Sequence, residues 1–582
     1  MSFFENIFRT KPIAVIEAEE RKEELPRALD LWDLIAIGIG GTVGSGVFTT
    51  TGDIISGAVG GGAGPAAFLS WAIAGVCCIL SGFAYMELGS IVPASGSTYA
   101  YVYYGLGELP AFMAAWLLTL EYGLSGSGVA RSWASKVQDW AEEGGGDYAY
   151  LNKPHTNLLG FLIMAACVIL LLAGIRFGKV FVNVVTTTKV CVVLFIIIAG
   201  FAATSSDNLT PFVPPRNETA DLFGVKGMFL GASQAFFGYV GFDEVCCMGG
   251  EVKNPRRVVP RAVIGVILGT MFLSCFASLA LSGMVPYEVY TNLPQPYLKN
   301  PDKELAALSF AGAFGYVGYS AAQLIVHIGE VGTMPVVVFV SFLAQPRLMY
   351  AMSVDGLLPE IFSRVDKKGN LFWCTLLAGI FFTAIAFIVP FDQIWNMVSI
   401  GTLLSFIMTN SSLIVVRTRE SSPGLTHKLT GLMVALACFC GFAFQKGYVN
   451  NDNNDTWLVI SIILLVLVVL VAIVIKVKCP QNTGNENMFR APWVPFVPMI
   501  AIIVNWQLIA QYADVDLGRA GIWIAASIVT YFMYGYFHSQ GRSGWAKMLS
   551  YNVLGLNEVR PSMSSMLAGD PKKALLSPGN VQ

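Results

Sequence analysis

Long apolar runs alternate with short polar linkers along most of the chain, from residue 31 to residue 538. A membrane-spanning helix needs about 20 mostly apolar residues. Runs of this kind are centred near residues 42, 78, 119, 165, 191, 238, 271, 331, 381, 406, 436, 466, 502 and 528. They predict an all-α polytopic membrane protein with about 14 helices, numbered here span 1 to span 14. Span 13 is the weakest of these predictions because it holds Pro495 and Pro498.

The polar segment 1–30 has no basic stretch followed by a short apolar run, so we predict no cleaved signal peptide and expect span 1 itself to direct insertion. Lys and Arg near span ends accumulate on the cytoplasmic side. With the N terminus inside, 26 of the 36 Lys and Arg residues fall on the inner side and 9 on the outer side. The tails 1–30 and 539–582 are therefore predicted to be cytoplasmic. The remaining basic residue, Lys189, falls near the middle of span 5.

Composition narrows the class of protein further. Hydrophobic residues make up 55% of the chain and charged residues 13%, against roughly 25% charged in soluble domains. The net charge of −2 and the four histidines suggest neither nucleic-acid binding nor a metal site. His327 and Glu330 are the one pair at membrane depth with the residue types of a catalytic site, which is too little for an enzyme. We expect no cofactor.

Three glycosylation sequons agree with the predicted orientation. Asn208-Leu-Thr, Asn217-Glu-Thr and Asn454-Asp-Thr all fall in predicted external loops. Asn410-Ser-Ser falls inside span 10, where modification is not expected. The first three asparagines are candidate glycosylation sites on a protein that follows the secretory route.

Glycines crowd the middle of two spans. Span 1 reads LIAIGIGGTVGSGVFTTTG, with five glycines that should open the helix, and span 6 reads GASQAFFGYVGFDEVCCMGGE, with Gly238 and Gly241 at its centre. A break inside the bilayer frees backbone groups that lipid cannot satisfy. The alternative is close helix packing through small residues. Two breaks about 200 residues apart favour helix opening, because spans 1–5 and 6–10 then form inverted repeats of the kind found in secondary transporters.

Such breaks can hold an amino acid. A half-helix N terminus offers amides and a positive dipole end to a carboxylate, while unwound carbonyls accept bonds from an ammonium group. We assign carboxylate binding to the backbone and side chains of Thr42, Val43, Gly44, Ser45 and Gly46. We assign amino-group binding to the carbonyls around Phe237, Gly238 and Val240.

The chain resembles the cationic amino acid transporters of the amino acid, polyamine and organocation superfamily. The motifs that carry the resemblance include GIGGTVGSGVF in span 1, FFGYVGFDEV in span 6, EVKNPRR after it, QPRLMYAMSVDGLLPE after span 8, SIGTLLSF in span 10 and APWVPFVP in span 13. The resemblance implies a LeuT-like 5+5 inverted repeat with broken helices 1 and 6 that works by alternating access. It divides the membrane domain 31–538 into a core, 31–417, and extra C-terminal helices, 427–538.

By this resemblance Lys189 lies where sodium-coupled relatives bind an ion, and it bridges spans 1 and 8. An ammonium group there can replace the charge of the cation, which implies sodium-independent transport. Two roles stay open for Lys189. It is either a fixed tether between helices or a group that exchanges protons, since desolvation lowers the proton affinity of a buried lysine.

Two acids at membrane depth could face a cationic substrate. Glu121 in span 3 is either part of the site or a proton relay, or it bonds to a neighbouring helix. Glu330 in span 8 lies four residues before Met334, which matches a position of the family's side-chain pocket, so it could meet the substrate or simply pair with His327. Glu244 is an addition at a position that is usually apolar or small in the family.

The expected function is therefore sodium-independent transport of amino acids, with the cationic ones (arginine, lysine, ornithine) implied by the resemblance. Neutral amino acids, polyamines and a sensor function remain alternatives. The expected partners are a small amino acid and the lipid bilayer, with proton coupling or the membrane potential as driving force. The plasma membrane is expected as its location, with a vacuolar or lysosomal membrane as the alternative.

Overall fold

A computed structural model of the chain describes residues 6–16, 29–57, 62–92, 96–143, 152–153, 155–173, 179–216, 223–249, 252–287, 309–366, 370–419, 422–451, 454–482 and 488–545. Within these residues, nine helical stretches are long and apolar enough to cross a membrane, and three more are shorter apolar helices. The other two predicted spans, 3 and 6, are also helical but interrupted. The expectation of an all-α polytopic membrane protein is confirmed.

Each of the 14 predicted centres lies in a helical segment. The spans are Leu31–Ser56, Gly64–Ile91, 108–143, Leu158–Leu172, Lys179–Ala202, 224–247, Pro255–Met284, Ser320–Val354, Phe372–Ile388, Phe391–Thr418, Gly424–Val449, Asp455–Lys478, Phe496–Ile509 and Asp514–Ser543, in chain order. Short helices Thr98–Gly105 and Phe310–Tyr316 precede spans 3 and 8. One two-stranded antiparallel sheet joins β1 (Asn152–Lys153) to β2 (Thr156–Asn157) between spans 3 and 4.

Local sequence explains where individual helices begin. Asp30 caps span 1 by accepting bonds from the amides of Trp32 and Asp33, and the Asp33 carboxylate accepts from the Asp30 amide in return. Span 13 begins at Phe496, after Pro495. Its prolines are tolerated because the first amides of a helix have no partner within it, so a residue without an N–H loses nothing there.

The linkers between the spans lie on two opposite faces of the helix bundle. On one, the inner face, Lys253 N donates to Leu29 O at 3.2 Å, and Ser539 Oγ donates to Glu108 Oε2 at 2.7 Å. On the other, the outer face, the Arg131 side chain donates to carbonyls at the end of span 9. The contacts on the inner face thus join segments that the distribution of Lys and Arg residues predicts to lie on the same side of the membrane.

The C-terminal spans pack on the outside of the bundle. Span 13 lies against spans 10 and 11, and span 11 lies against span 12. Span 12 leaves one side of large apolar residues exposed, which includes Ile462, Val466, Leu470, Ile473 and Val477. Lipid is the solvent for which such a surface is suited.

A buried ion pair joins the central bundle to the segment before span 13. Arg417 at the end of span 10 donates through Nη2 to Glu87 Oε2 of span 2 at 2.7 Å and through Nε to Oε1. The Ala491 amide donates to the same Glu87 oxygen at 2.7 Å, and the Ala491 carbonyl accepts from Arg417 at 3.1 Å. The pair holds three separate parts of the chain together.

Removing one partner of this pair should therefore destabilise the protein strongly. Arg417→Met leaves the Glu87 carboxylate buried without its cation, a change that costs about 3–5 kcal/mol. The double variant Glu87→Gln/Arg417→Met should recover part of that loss. Thermal unfolding in detergent measures both. As the control, Asp514→Asn, which breaks a pair whose carboxylate is 87% exposed, should leave the melting temperature unchanged. A single variant as stable as the native chain would contradict the prediction.

Candidate functional site

Both predicted helix breaks are present. In span 1 the helix Leu31–Thr42 (span 1a) ends at Val43, whose ψ of 92° is extended, and helix resumes at Ser45–Phe48 and Thr50–Ser56 (span 1b). In span 6 a 3₁₀ turn, Phe236–Tyr239, gives way to an extended Val240. Gly241 follows with φ of +112°, a conformation that side-chain-bearing residues rarely adopt.

The two breaks touch each other. Gly46 lies against the backbone of Gly238, so closely that a Cβ atom on Gly46 would overlap the Gly238 backbone. Gly238 in turn lies against the indole ring of Trp71, where a Cβ atom would also overlap. Tyr239 fixes this arrangement by donating its hydroxyl to the Trp71 carbonyl at 2.8 Å. Spans 1, 2 and 6 therefore meet at the breaks, where the backbones of spans 1 and 6 are in direct contact.

The unwound stretch of span 1 is shorter than its five glycines predict. Gly38, Gly40 and Gly41 lie within the helix, and each faces a neighbouring span. A Cβ atom at Gly41 would lie 3.2 Å from Glu244 Oε2 of span 6, and one at Gly40 would meet Thr186 of span 5. Close packing explains these three glycines, and helix opening begins only at Val43.

The proposed carboxylate-binding residues differ in what they can offer. The Thr42 hydroxyl donates to Gly38 O at 2.9 Å and lies 2.7 Å from Thr270 Oγ1 of span 7. The Val43 amide donates to Ile39 O at 2.9 Å. These two groups are thus engaged within the protein. The backbone at Gly44 and Gly46 lies at the start of span 1b, where the first amides of a helix have no partner inside it.

At the second break, the Phe237 carbonyl accepts only a long bond, 3.4 Å, from the Val240 amide. The carbonyl of Gln234, one turn earlier, accepts from Trp395 Nε1 at 2.9 Å. The Phe237 carbonyl is therefore weakly bonded by this contact, which leaves it able to accept from an ammonium ligand.

Lys189 is buried next to the first break. It is 2% exposed, and its Nζ donates to the carbonyl of Gly40 in span 1a at 2.6 Å. A small cavity beside it is lined by span 1, span 5 and, from span 8, Val336, Val337 and Val340. Within the described residues no carboxylate pairs with Lys189. The ammonium group thus lies where spans 1, 5 and 8 meet and bonds to a backbone carbonyl of the helix that opens.

Glu121 lies buried in a π-helical turn of span 3, Leu120–Leu124, with the Thr402 hydroxyl of span 10 nearby and no ion pair to any of the described residues. It faces Asp243 of span 6, close enough for a hydrogen bond if one of the two holds a proton. Tyr122 donates its hydroxyl to Asp243 Oδ2 at 2.9 Å. The sequence predicts no role for Asp243 or Tyr122, although Asp243 belongs to the motif FFGYVGFDEV in span 6.

Glu330 lies in a different part of the molecule. It is fully buried and forms an ion pair with Lys136 of span 3, Nζ to Oε2, at 3.7 Å. His327 stacks on the ring of Trp140, with centroids 5.7 Å apart. Lys136 is about 20 Å from Glu121 along span 3, at 1.5 Å per helical residue. Glu121 and Glu330 therefore lie on opposite sides of the breaks. Met334 is buried one turn from Glu330.

The three candidate glycosylation sites are placed as follows. The Asn208 side chain donates to Gly283 O at 2.8 Å on the outer face. Asn454 is exposed and caps span 12 by accepting from the Thr456 amide. Asn217 lies outside the described residues.

Comparisons with known proteins agree with this architecture. Residues 29–473 match the family model of the amino acid permeases, and residues 489–539 match the model of the C terminus of these permeases. A methylthioribose transporter of Bacillus subtilis is 35% identical over 71% of this chain and 86% of its own length. Cationic amino acid transporter 4 of Homo sapiens is 28% identical over 91% of this chain and 90% of its own.

Two further relatives show how widely the substrates named in this group differ. Cationic amino acid transporter 3, mitochondrial, of Arabidopsis thaliana is 27% identical over 95% of this chain and 97% of its own. A branched-chain amino acid permease of Bacillus subtilis is 31% identical over 79% of this chain and 96% of its own. The broken spans, the membrane-spanning bundle and these matches lead to one conclusion: the chain belongs to the amino acid permease family, as a transporter of the amino acid, polyamine and organocation superfamily similar to its cationic amino acid transporters.

Proposed function

We propose that this chain carries cationic amino acids, such as arginine, lysine and ornithine, across the membrane without sodium and by alternating access. The observation that carries the proposal is the bond from Lys189 Nζ to the Gly40 carbonyl, immediately before the break in span 1. A buried ammonium group at this junction supplies a positive charge that a sodium ion would otherwise have to bring. The helix break then needs no bound ion to balance its carbonyls.

The two breaks support an amino acid as the ligand. The amides of Gly44, Ser45 and Gly46 suit a carboxylate, and the carbonyls of Phe237, Gly238 and Val240 suit an ammonium group. Thr42 and Val43 support this geometry indirectly, because the bonds they already make fix the end of span 1a.

Cationic selectivity draws support from the names of several relatives and from the unpaired carboxylate of Glu121. Met334 is proposed to line the side-chain pocket. Contact between Glu330 and substrate would require the pair with Lys136 to open, so we propose it only for a conformation open to the outer face. The inner face is proposed to be cytoplasmic and the membrane to be the plasma membrane, with a vacuolar membrane as the alternative.

Transport of neutral amino acids is the second candidate. It draws support from the relative named as a branched-chain amino acid permease and from the pairing of Glu330 with a lysine of the protein itself. Purified protein in proteoliposomes, tested for uptake of radiolabelled arginine, separates the candidates. Competition by lysine but not by alanine favours cationic selectivity, whereas equal competition by alanine favours a broad carrier. Competition by putrescine alone would indicate a polyamine carrier.

Substitution of Lys189 should abolish uptake while the protein still folds. Lys189→Ala removes the charge beside the break and leaves the Gly40 carbonyl unbonded, so arginine uptake should fall to the level of empty liposomes. Lys253→Ala, at an exposed position of the inner face, should transport like the native chain. Replacing sodium by choline outside the vesicles should leave native uptake unchanged. A sodium requirement, or full activity of Lys189→Ala, would contradict the proposal.

Bulk at either helix break should also stop transport. Gly238→Val places methyl groups into the Trp71 ring and separates the two breaks, and Gly44→Val crowds Val337 of span 8. Overpacking of this kind lowers the stability of the fold by about 1–3 kcal/mol. Both variants should therefore still be expressed and folded but lack uptake. Gly431→Val provides the control, because open space surrounds that glycine. Uptake by Gly238→Val equal to that of the control would show that the breaks do not form the site.

A further inference from the structure

Glu244 is a carboxylate without a bonding partner next to the break in span 6. It begins the short helical turn Glu244–Cys247 and is 4% exposed. Its Oε2 atom faces Gly41 of span 1a, where even a Cβ atom would come within 3.2 Å of it. Among the described residues, no hydrogen bond or ion pair to this carboxylate is found. A glycine on the opposite helix thus makes room for a carboxyl group that bonds to none of the described protein groups.

Glu244 is the third member of a cluster of acids. Asp243 precedes it in the chain, and Glu121 faces Asp243 from span 3. Both oxygens of Glu121 and the Oδ1 atom of Asp243 are buried, and the polar groups nearest to Glu121 are Asp243 and the Thr402 hydroxyl. Tyr122 donates to the cluster through its bond to Asp243 Oδ2. Several carboxylates this close together in a buried site are unfavourable unless a cation or protons balance them.

A cavity connects Glu244 with the inner face. It is bounded by Tyr122 of span 3, by Glu244 and Met248 of span 6 and by the inner half of span 8, and it extends to Gly96 and Arg347. Gly96 belongs to the linker after span 2, on the inner face. Arg347 of span 8 also lines this cavity. The space available to a ligand at Glu244 is therefore reached from the inner side of the breaks.

We propose that Glu244, supported by Glu121 and Asp243, binds the side-chain ammonium or guanidinium group of a cationic amino acid on the inner side of the breaks. The inference rests on the proposed function and adds a specificity-determining residue to it. A guanidinium group can donate to more than one carboxylate at once, and charge-assisted bonds of this kind are among the strongest in proteins. The α-carboxylate and α-amino group of the same molecule would lie at the breaks, on the far side of Gly41.

The test compares arginine with citrulline, whose ureido group has the same shape as guanidinium but no charge. Exchange of each labelled substrate into preloaded proteoliposomes gives the ratio of the two kcat/KM values. In Glu244→Gln the preference for arginine over citrulline should fall about tenfold, which corresponds to one charge-assisted bond. Glu244→Asp, which keeps the charge, should retain most of the preference. Glu360→Gln, the same change at an exposed position of the inner face, should leave the ratio at its native value.

Each outcome separates this inference from the function on which it rests. If the native chain does not exchange arginine at all, the proposed function and this inference both fail. If the native chain prefers arginine and Glu244→Gln keeps that preference, only the role of Glu244 is overturned. An equal decrease in the exchange of arginine and citrulline by Glu244→Gln, with normal exchange by Glu244→Asp, would indicate that the carboxylate holds a proton and does not bind the substrate side chain. That result also overturns the inference.

Discussion

An opened helix in a bilayer exposes N–H and C=O groups that lipid cannot satisfy, so the groups around the opening must be balanced by the protein or by a ligand. At the break in span 1, the Val43 amide bonds back to Ile39 and the Gly40 carbonyl accepts from Lys189. The Thr42 hydroxyl bonds to Gly38 and contacts span 7. These bonds fix the last turn of span 1a, so only the short stretch after it is left to bind something else.

The same constraint governs the charges along span 3. On the outer half Lys136 meets Glu330, and on the inner half Glu121 meets Asp243 with Glu244 next to it. The outer pair joins opposite charges, and Asp53 of span 1b and Asp139 of span 3 also lie near Lys136. The inner group joins several acids, and no ion pair with Glu121, Asp243 or Glu244 is found among the described residues. Span 3 thus carries a lysine that meets acids on its outer half and a glutamate that faces other acids on its inner half.

Sequence alone was sufficient for features that depend on local composition. Apolar runs located every span, and the glycines at 44, 46 and 238 located both breaks, because hydrophobic length and missing side chains act within a short stretch of chain. Sequence could not distinguish glycines that open a helix from glycines such as Gly38 and Gly41, against which side chains of another span pack. Those side chains belong to spans 6 and 7, which lie far away in the sequence. For the same reason Glu330 was considered as a partner of nearby His327, whereas the structure pairs it with Lys136, about 190 residues away.

The inner face also carries a buried ion pair that bears on how the protein could open. Lys11 Nζ lies 2.6 Å from Asp355 Oδ1, and the Tyr99 hydroxyl donates to the other oxygen of Asp355 at 2.6 Å. This pair ties the N-terminal segment to the end of span 8, below the cavity that reaches Glu244. Asp355 lies just beyond the end of span 8, so a movement of this helix end away from the N-terminal segment would break its bonds to Lys11 and Tyr99. The bonds of Lys11 and Tyr99 to Asp355 therefore oppose displacement of the inner end of span 8.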